Sequence, residues 1–165
     1  MDLSSTVTRQ YQAPLTMLGK AIELCPADLW LQGSPNRFWH IAYHALFYTQ
    51  FYLSETDKDF VPWSGHRAEY NFLGAVPWRP ANPNARPIQH IPYTQPELLD
   101  YHAVVVDAVN HQVPRLDLDA PSGFHWLPFN KLELQLYSIR HAQHHTGQLA
   151  DRLRTFANIG LGWVR

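Results

Sequence analysis

Apolar side chains return every three or four residues near the start of the chain, at Val7, Tyr11, Leu15, Leu18 and Ile22. That interval lines one face of a 3.6-residue helix and predicts an amphipathic helix over Ser4–Leu24. Pro14 lies inside it, where a missing N–H and a crowded ring predict a kink or an earlier boundary. The Cys25-Pro26 step supplies the end, because a residue before proline is steered out of the helical region. Gly33-Ser34-Pro35-Asn36 then breaks the pattern before a second helix, Arg37 to about Ser54. Its sequence, RFWHIAYHALFYTQFYLS, sets aromatic rings on nearly every side of a helical wheel, so no wet face remains and the segment belongs at the centre of the fold.

Residues 54–93 show no period. Six prolines (Pro62, Pro77, Pro80, Pro83, Pro87, Pro92) together with Trp63, Tyr70, Phe72 and Trp78 predict a packed insertion rather than a linker, with one short helix near Gly65–Phe72. Thr94-Gln95-Pro96-Glu97 combines an N-cap hydroxyl, an early proline and a capping-box glutamate, and opens a third helix that runs to about Gln112. Residues 114–128 are again irregular. Asn130 with Glu133 repeats the cap signature and starts a fourth helix, Lys131 to about Ala157. Four long helical segments joined by irregular connections predict an all-α fold, a four-helix bundle, in which the long connections leave the up-and-down order open.

Composition narrows the class. A chain of 165 residues, 45% apolar and 16% charged, suits one domain, residues 1–165, with a buried core. Thirteen basic and fourteen acidic side chains leave a net charge of −1, which supplies no long-range field for nucleic acid; no nucleic-acid partner is expected. The single cysteine, Cys25, excludes an internal disulfide and a cysteine-cluster metal site, and reads as a small buried hydrophobe in a reducing compartment. No run of about 18 apolar residues marks a membrane span. The opening MDLSSTVTRQ has no apolar segment behind a basic cap, so a cytoplasmic location is expected.

The chemistry is concentrated in imidazoles. Helical residues four apart share a face one turn up, so His141 and His145 can direct nitrogens at one ion. His144 lies about 80–100° away on the wheel and is expected to be exposed or hydrogen-bonded at an interface. His40 and His44 form a second four-spaced pair on the second helix. His44 points between the directions of Tyr48 and Phe51, into the core, and His40 lies nearer the edge of that face. A lone core histidine is ordinarily a hydrogen-bonded residue of the interior. Three neutral imidazoles meeting between helices are instead a site for zinc, nickel or iron, and His40 can replace His44 after a one-turn shift of its helix.

A histidine near the middle of the second long helix, followed about a hundred residues later by H-x-x-x-H-x-G-Q, resembles the DinB/YfiT-like superfamily. The matching residues are His44 within HIAYHALFY and His141, His145, Gly147 and Gln148 within HAQHHTGQL. The four-segment layout agrees over most of the chain, while the Pro- and aromatic-rich insertion after the second helix matches no motif of the family. The resemblance implies a four-helix bundle with an unusual connection order, commonly a homodimer, holding a divalent metal on His44, His141 and His145. It also implies thiol-dependent transfer or isomerisation with a low-molecular-weight thiol such as bacillithiol or mycothiol, although many members have no assigned reaction. Thr146 stands where an arginine is common in the family, which puts a local contact in doubt and leaves the ligands intact.

Three protein nitrogens leave a coordination position open, as in catalytic rather than structural sites. The expected function is therefore a metal-dependent enzyme acting on a small molecule through a metal-activated thiol or water, with thiol transfer ahead of hydrolysis. The alternative is a non-catalytic metal- or ligand-binding dimer. Around the site, Gln148 is a candidate to orient a ligand or water. Gly147 costs about 1 kcal/mol against alanine in a helix, and so predicts a close approach by another backbone or ring. Acceptors for the free imidazole nitrogens are expected without being identifiable. Glu55, Glu133 and Asp151 read as solvated or capping charges rather than general bases. Arg37, Arg79, Arg86 and Arg140 are candidates for an anionic substrate with a surface role as the simpler reading, and Trp63, Tyr70 and Trp78 either wall the site or pin the insertion down.

Overall fold

The computed structural model describes residues 2–33, 35–74 and 91–164. Its elements are α1 (Leu3–Leu24), α2 (Ala27–Trp30), α3 (Phe38–Phe51), α4 (Gln95–Gln112), a 3₁₀ turn at Val113–Arg115, and α5 (Lys131–Ala157). The fold is all-α, with a single isolated β-bridge between Pro121 and Asn130 among the described residues. The caps lie where side-chain chemistry places them. Thr94 accepts from the Glu97 N–H while the Glu97 carboxylate accepts from the Thr94 N–H, and Asn130 accepts from the Glu133 N–H. Asn158, with φ of 55°, ends α5 in the left-handed region.

Two expectations are corrected. Pro14 neither ends α1 nor starts it: the helix runs unbroken past it, and the ring is buried. Between Gly65 and Phe72 the chain makes successive turns, closed by His66 N–H to Trp63 O, Tyr70 N–H to Arg67 O and Phe72 N–H to Glu69 O, and no helix forms. The His66 ring lies against Tyr43 and Phe47 of α3 and the Tyr70 ring against Trp39, Tyr43 and Tyr93, and the backbone follows these contacts.

Side-chain bonds give the helix directions. Gln95 donates to the carbonyls of Ile22 and Cys25, His102 to that of Leu15, and Gln12 to Asn110, so α1 and α4 are antiparallel. Gln135 donates to Tyr52 O and Arg152 to Asn36 O, so α3 and α5 are antiparallel. Tyr93, just before α4, stacks on Tyr43 at 4.8 Å, and Tyr101 donates to Gln50, so α3 and α4 run the same way. Each of α1 and α3 therefore lies against both α4 and α5. Parallel neighbours cannot be joined by a tight turn, and the long connection after α3 returns the chain to the end from which α3 began.

Ten of the fourteen residues of α3 are buried, which accounts for its lack of a polar face. The connection after α3 is pinned to α3 and α4 by rings: Trp63 stacks on Tyr101 at 4.6 Å, and Tyr70 lies 5.9 Å from Trp39 and 5.6 Å from Tyr93. Gly19 makes room on α1 for the His102 ring of α4, since a Cβ there would stand 2.8 Å from it. A second clamp holds the other end. Lys131 is buried and its ammonium donates to the carbonyls of Ser54, Glu55 and Ser122 at 3.0, 2.9 and 2.6 Å. Gly123, at φ of 85°, allows its loop to close on Glu55 O, where a Cβ would collide. Among the described residues no helix is long and apolar enough to cross a membrane.

Candidate metal centre

Antiparallel packing of α3 on α5 brings His44 opposite the four-spaced pair on α5. Nε2 of His44 lies 2.9 Å from Nε2 of His141, which lies 3.1 Å from Nε2 of His145. One ligand nitrogen from each histidine falls within 4.8 Å of the others, and no carboxylate joins the group among the described residues. The ring centroids are 4.5–4.9 Å apart and the planes are steeply inclined, so nitrogens, not ring faces, point at a common centre. Two nitrogens held about 2.1 Å from one ion stand about 3.0–3.4 Å apart; the His141–His145 spacing of 3.1 Å falls in that range and the His44–His141 spacing of 2.9 Å just below it.

The outer nitrogens fix the tautomers. His44 Nδ1–H donates to the backbone carbonyl of Asn71 at 2.7 Å, and His145 Nδ1–H donates to Gln148 Oε1 at 2.8 Å. Both Nε2 atoms therefore present lone pairs to His141. A neutral His141 carries one proton. Placed on Nε2, it satisfies one of the two facing lone pairs and leaves the other opposed; placed on Nδ1, it leaves three lone pairs converging. His141 Nδ1 is buried with no partner among the described residues, so hydrogen bonding alone does not close the cluster.

Protonation is no easier way out. Burial first, then the neighbouring imidazoles of His141 and His145, depress the pKa of His44 to about 2. Burial, with His145 and His144 beside it, holds His141 at about 3, and burial also lowers His145. All three are neutral ligands at ordinary pH.

The remaining candidates are distributed elsewhere. His40 turns away from the cluster, donating from Nε2 to the Tyr70 carbonyl at 2.8 Å and stacking on Trp39 at 4.9 Å, so it does not stand in for His44. His144 is exposed. The close approach expected at Gly147 is not made by the described residues: none of them lies within 4 Å of a Cβ built there, and the residue is exposed. Thr146 is buried against α1, its hydroxyl 3.5 Å from the Pro14 carbonyl, a position at the helix seam rather than in the site. Arg37, Arg140, Glu55, Glu133 and Asp151 are exposed, and Asp151 pairs with Arg154 at 3.2 Å. Arg79, Arg86 and Trp78 lie outside the described residues. Trp63 and Tyr70 pin the connection after α3 to the helices. Burial pushes the Cys25 thiol up to about 12, with Asp28 adding to it, so it is an inert part of the core.

Two contributors escaped the sequence. The Asn71 acceptor is a backbone carbonyl, which every residue owns, so no residue type announces it. Tyr48 lies 4.8 Å from the His44 ring and 5.5 Å from the His141 ring, edge-on to both. Its place one turn after His44 on the same face was a usable signal. In comparisons with protein-family models, curated proteins and solved structures, nothing matches this chain.

Proposed function

We propose that His44, His141 and His145 hold a divalent metal, zinc, nickel or iron, and that the chain is a DinB/YfiT-like four-helix-bundle protein acting as a metal-dependent enzyme on a small molecule. One observation carries the metal reading: three Nε2 atoms converge at 2.9 and 3.1 Å with two tautomers fixed from behind, an arrangement that protons leave unsatisfied and a cation satisfies. The directions of the helices, with α3 and α4 parallel across a long connection, support the family reading, because the resemblance implies an unusual connection order.

A bound divalent ion supplies Lewis acidity, lowering the pKa of a thiol or water and polarising an oxygen. The chain's own part is to keep three imidazoles neutral and to orient two of them through Asn71 O and Gln148 Oε1, with no fourth His, Cys, Asp or Glu joining the group among the described residues. Thiol-dependent transfer with bacillithiol or mycothiol ranks ahead of hydrolysis through the resemblance alone.

The deciding experiment is metal analysis of the purified protein together with thiol-transfer assays across several low-molecular-weight thiols. One equivalent of metal per chain, lost in His145→Ala along with turnover while the helical circular dichroism persists, is the expected result. Metal retained for stability with no turnover under any thiol selects the non-catalytic binding protein. A wild-type chain that takes up no divalent metal removes both. Sedimentation of the same sample tests the homodimer.

A further inference from the structure

Beside the triad lies a hollow of about 390 Å³, within the size range of small-molecule sites. Phe47, Phe51, Tyr52, Phe72 and Trp126 form its apolar walls with His125 beside them, and Tyr48 and Asn71, which touch the histidine cluster, line it as well. Phe51 and Trp126 lie nearly parallel, 11° apart with centroids at 6.5 Å, and Phe51 meets Tyr48 edge-on at 6.0 Å. The described lining holds no carboxylate, ammonium or guanidinium. Continuity with the metal centre runs through two residues: Tyr48, whose ring touches both His44 and His141, and Asn71, whose carbonyl orients His44. Asn71 Nδ2 donates to the Tyr48 hydroxyl at 3.4 Å, which leaves the hydroxyl proton available to a guest.

We propose that this hollow is the substrate-side subsite, and that it takes an uncharged aryl or alkyl group of the molecule whose polar end reaches the metal. A charged group there would lose its hydration with no carboxylate, ammonium or guanidinium of the described lining to meet it and His125 as the one titratable side chain, whereas an apolar ring exchanges water for aromatic faces. The Tyr48 hydroxyl and the Asn71 amide stand at the boundary between the apolar hollow and the centre, where the polar part of such a molecule begins. The assignment rests on the metal reading for its polar end only.

The test uses cobalt(II)-loaded protein, whose visible absorption reports a ligand entering the open position, and compares imidazole with 4-phenylimidazole and 4-benzylimidazole. The better aryl ligand is expected to bind about tenfold or more tightly than imidazole, a gain set by burial of the ring. Trp126→Ala and, separately, Phe72→Ala should erase that gain while leaving imidazole unchanged; both residues are in loops, so a folded variant is expected from at least one. Equal affinities for the three ligands in the wild type, or an aryl preference surviving in the folded variants, overturn the proposal. If no cobalt spectrum forms, the metal reading fails by itself. Saturation-transfer NMR with benzyl alcohol on the metal-free protein then decides the hollow: a signal that the substitutions abolish upholds it, and no signal in the wild type overturns it.

Discussion

The His44 imidazole is oriented by a backbone oxygen, Asn71 O at 2.7 Å, supplied by a segment 27 residues further along the chain. The connection after α3 therefore contributes to the histidine cluster. Because the acceptor is main chain, the Asn71 side chain is dispensable for this bond. The corresponding acceptor for His145 is a side chain, Gln148, one turn away on α5.

That asymmetry separates two variants. Gln148→Leu should lower divalent-metal affinity about tenfold or more, the usual effect of losing the partner of a ligating imidazole, and Asn71→Ala should leave it within about threefold. Competition against a chromogenic chelator measures both. Equal losses would show that the Asn71 side chain, not its carbonyl, holds His44.

The buried histidines fix a direction for acid sensitivity. His44 and His141 titrate at about 2 and 3 in the folded protein against about 6.5 unfolded, and His66, His102 and His145 are also lowered by burial. As pH falls below about 6.5 the unfolded chain takes up protons that the folded chain refuses. Stability of the metal-free protein should therefore be level above about pH 7 and fall steadily between about 6.5 and 4.5, above the range in which carboxylates titrate. Melting temperatures across that window check it, and His44→Gln should flatten the slope. A flat profile in the wild type would contradict the burial of these rings.

Lys131 offers a test of the fold outside the histidine cluster. Its three ammonium protons go to three backbone carbonyls in two different connections, so Lys131→Ala leaves buried acceptors unpaired and should cost about 3 kcal/mol or more. Chemical denaturation measures the loss, and metal stoichiometry of the folded fraction should not change.

Gly147 behaves in the opposite sense. No described residue approaches the position where its Cβ would be, and the backbone is helical, so Gly147→Ala should stabilise the protein by up to about 1 kcal/mol with metal affinity unchanged. A drop in melting temperature would reveal a contact at this face that the folded chain by itself lacks.

Much of the architecture is local and could be read from the chain. The apolar recurrence from Val7 to Ile22, the capping box at Thr94–Glu97 and the Asn130–Glu133 cap placed three helices to within a residue or two, because caps and periodicity act over a few neighbouring positions. The i,i+4 spacing of His141 and His145 put two of the three clustered rings on one helix face for the same reason. What the sequence could not decide is everything that depends on which surfaces meet. His40 and His44 are equivalent by spacing, and only the antiparallel contact of α3 with α5 aims His44 at the pair while the Tyr70 carbonyl takes His40. The turns at 65–72, the open space at Gly147, the Asn71 acceptor and the aromatic hollow are products of contacts between residues distant along the chain, and long-range contact leaves no periodic mark in a single sequence.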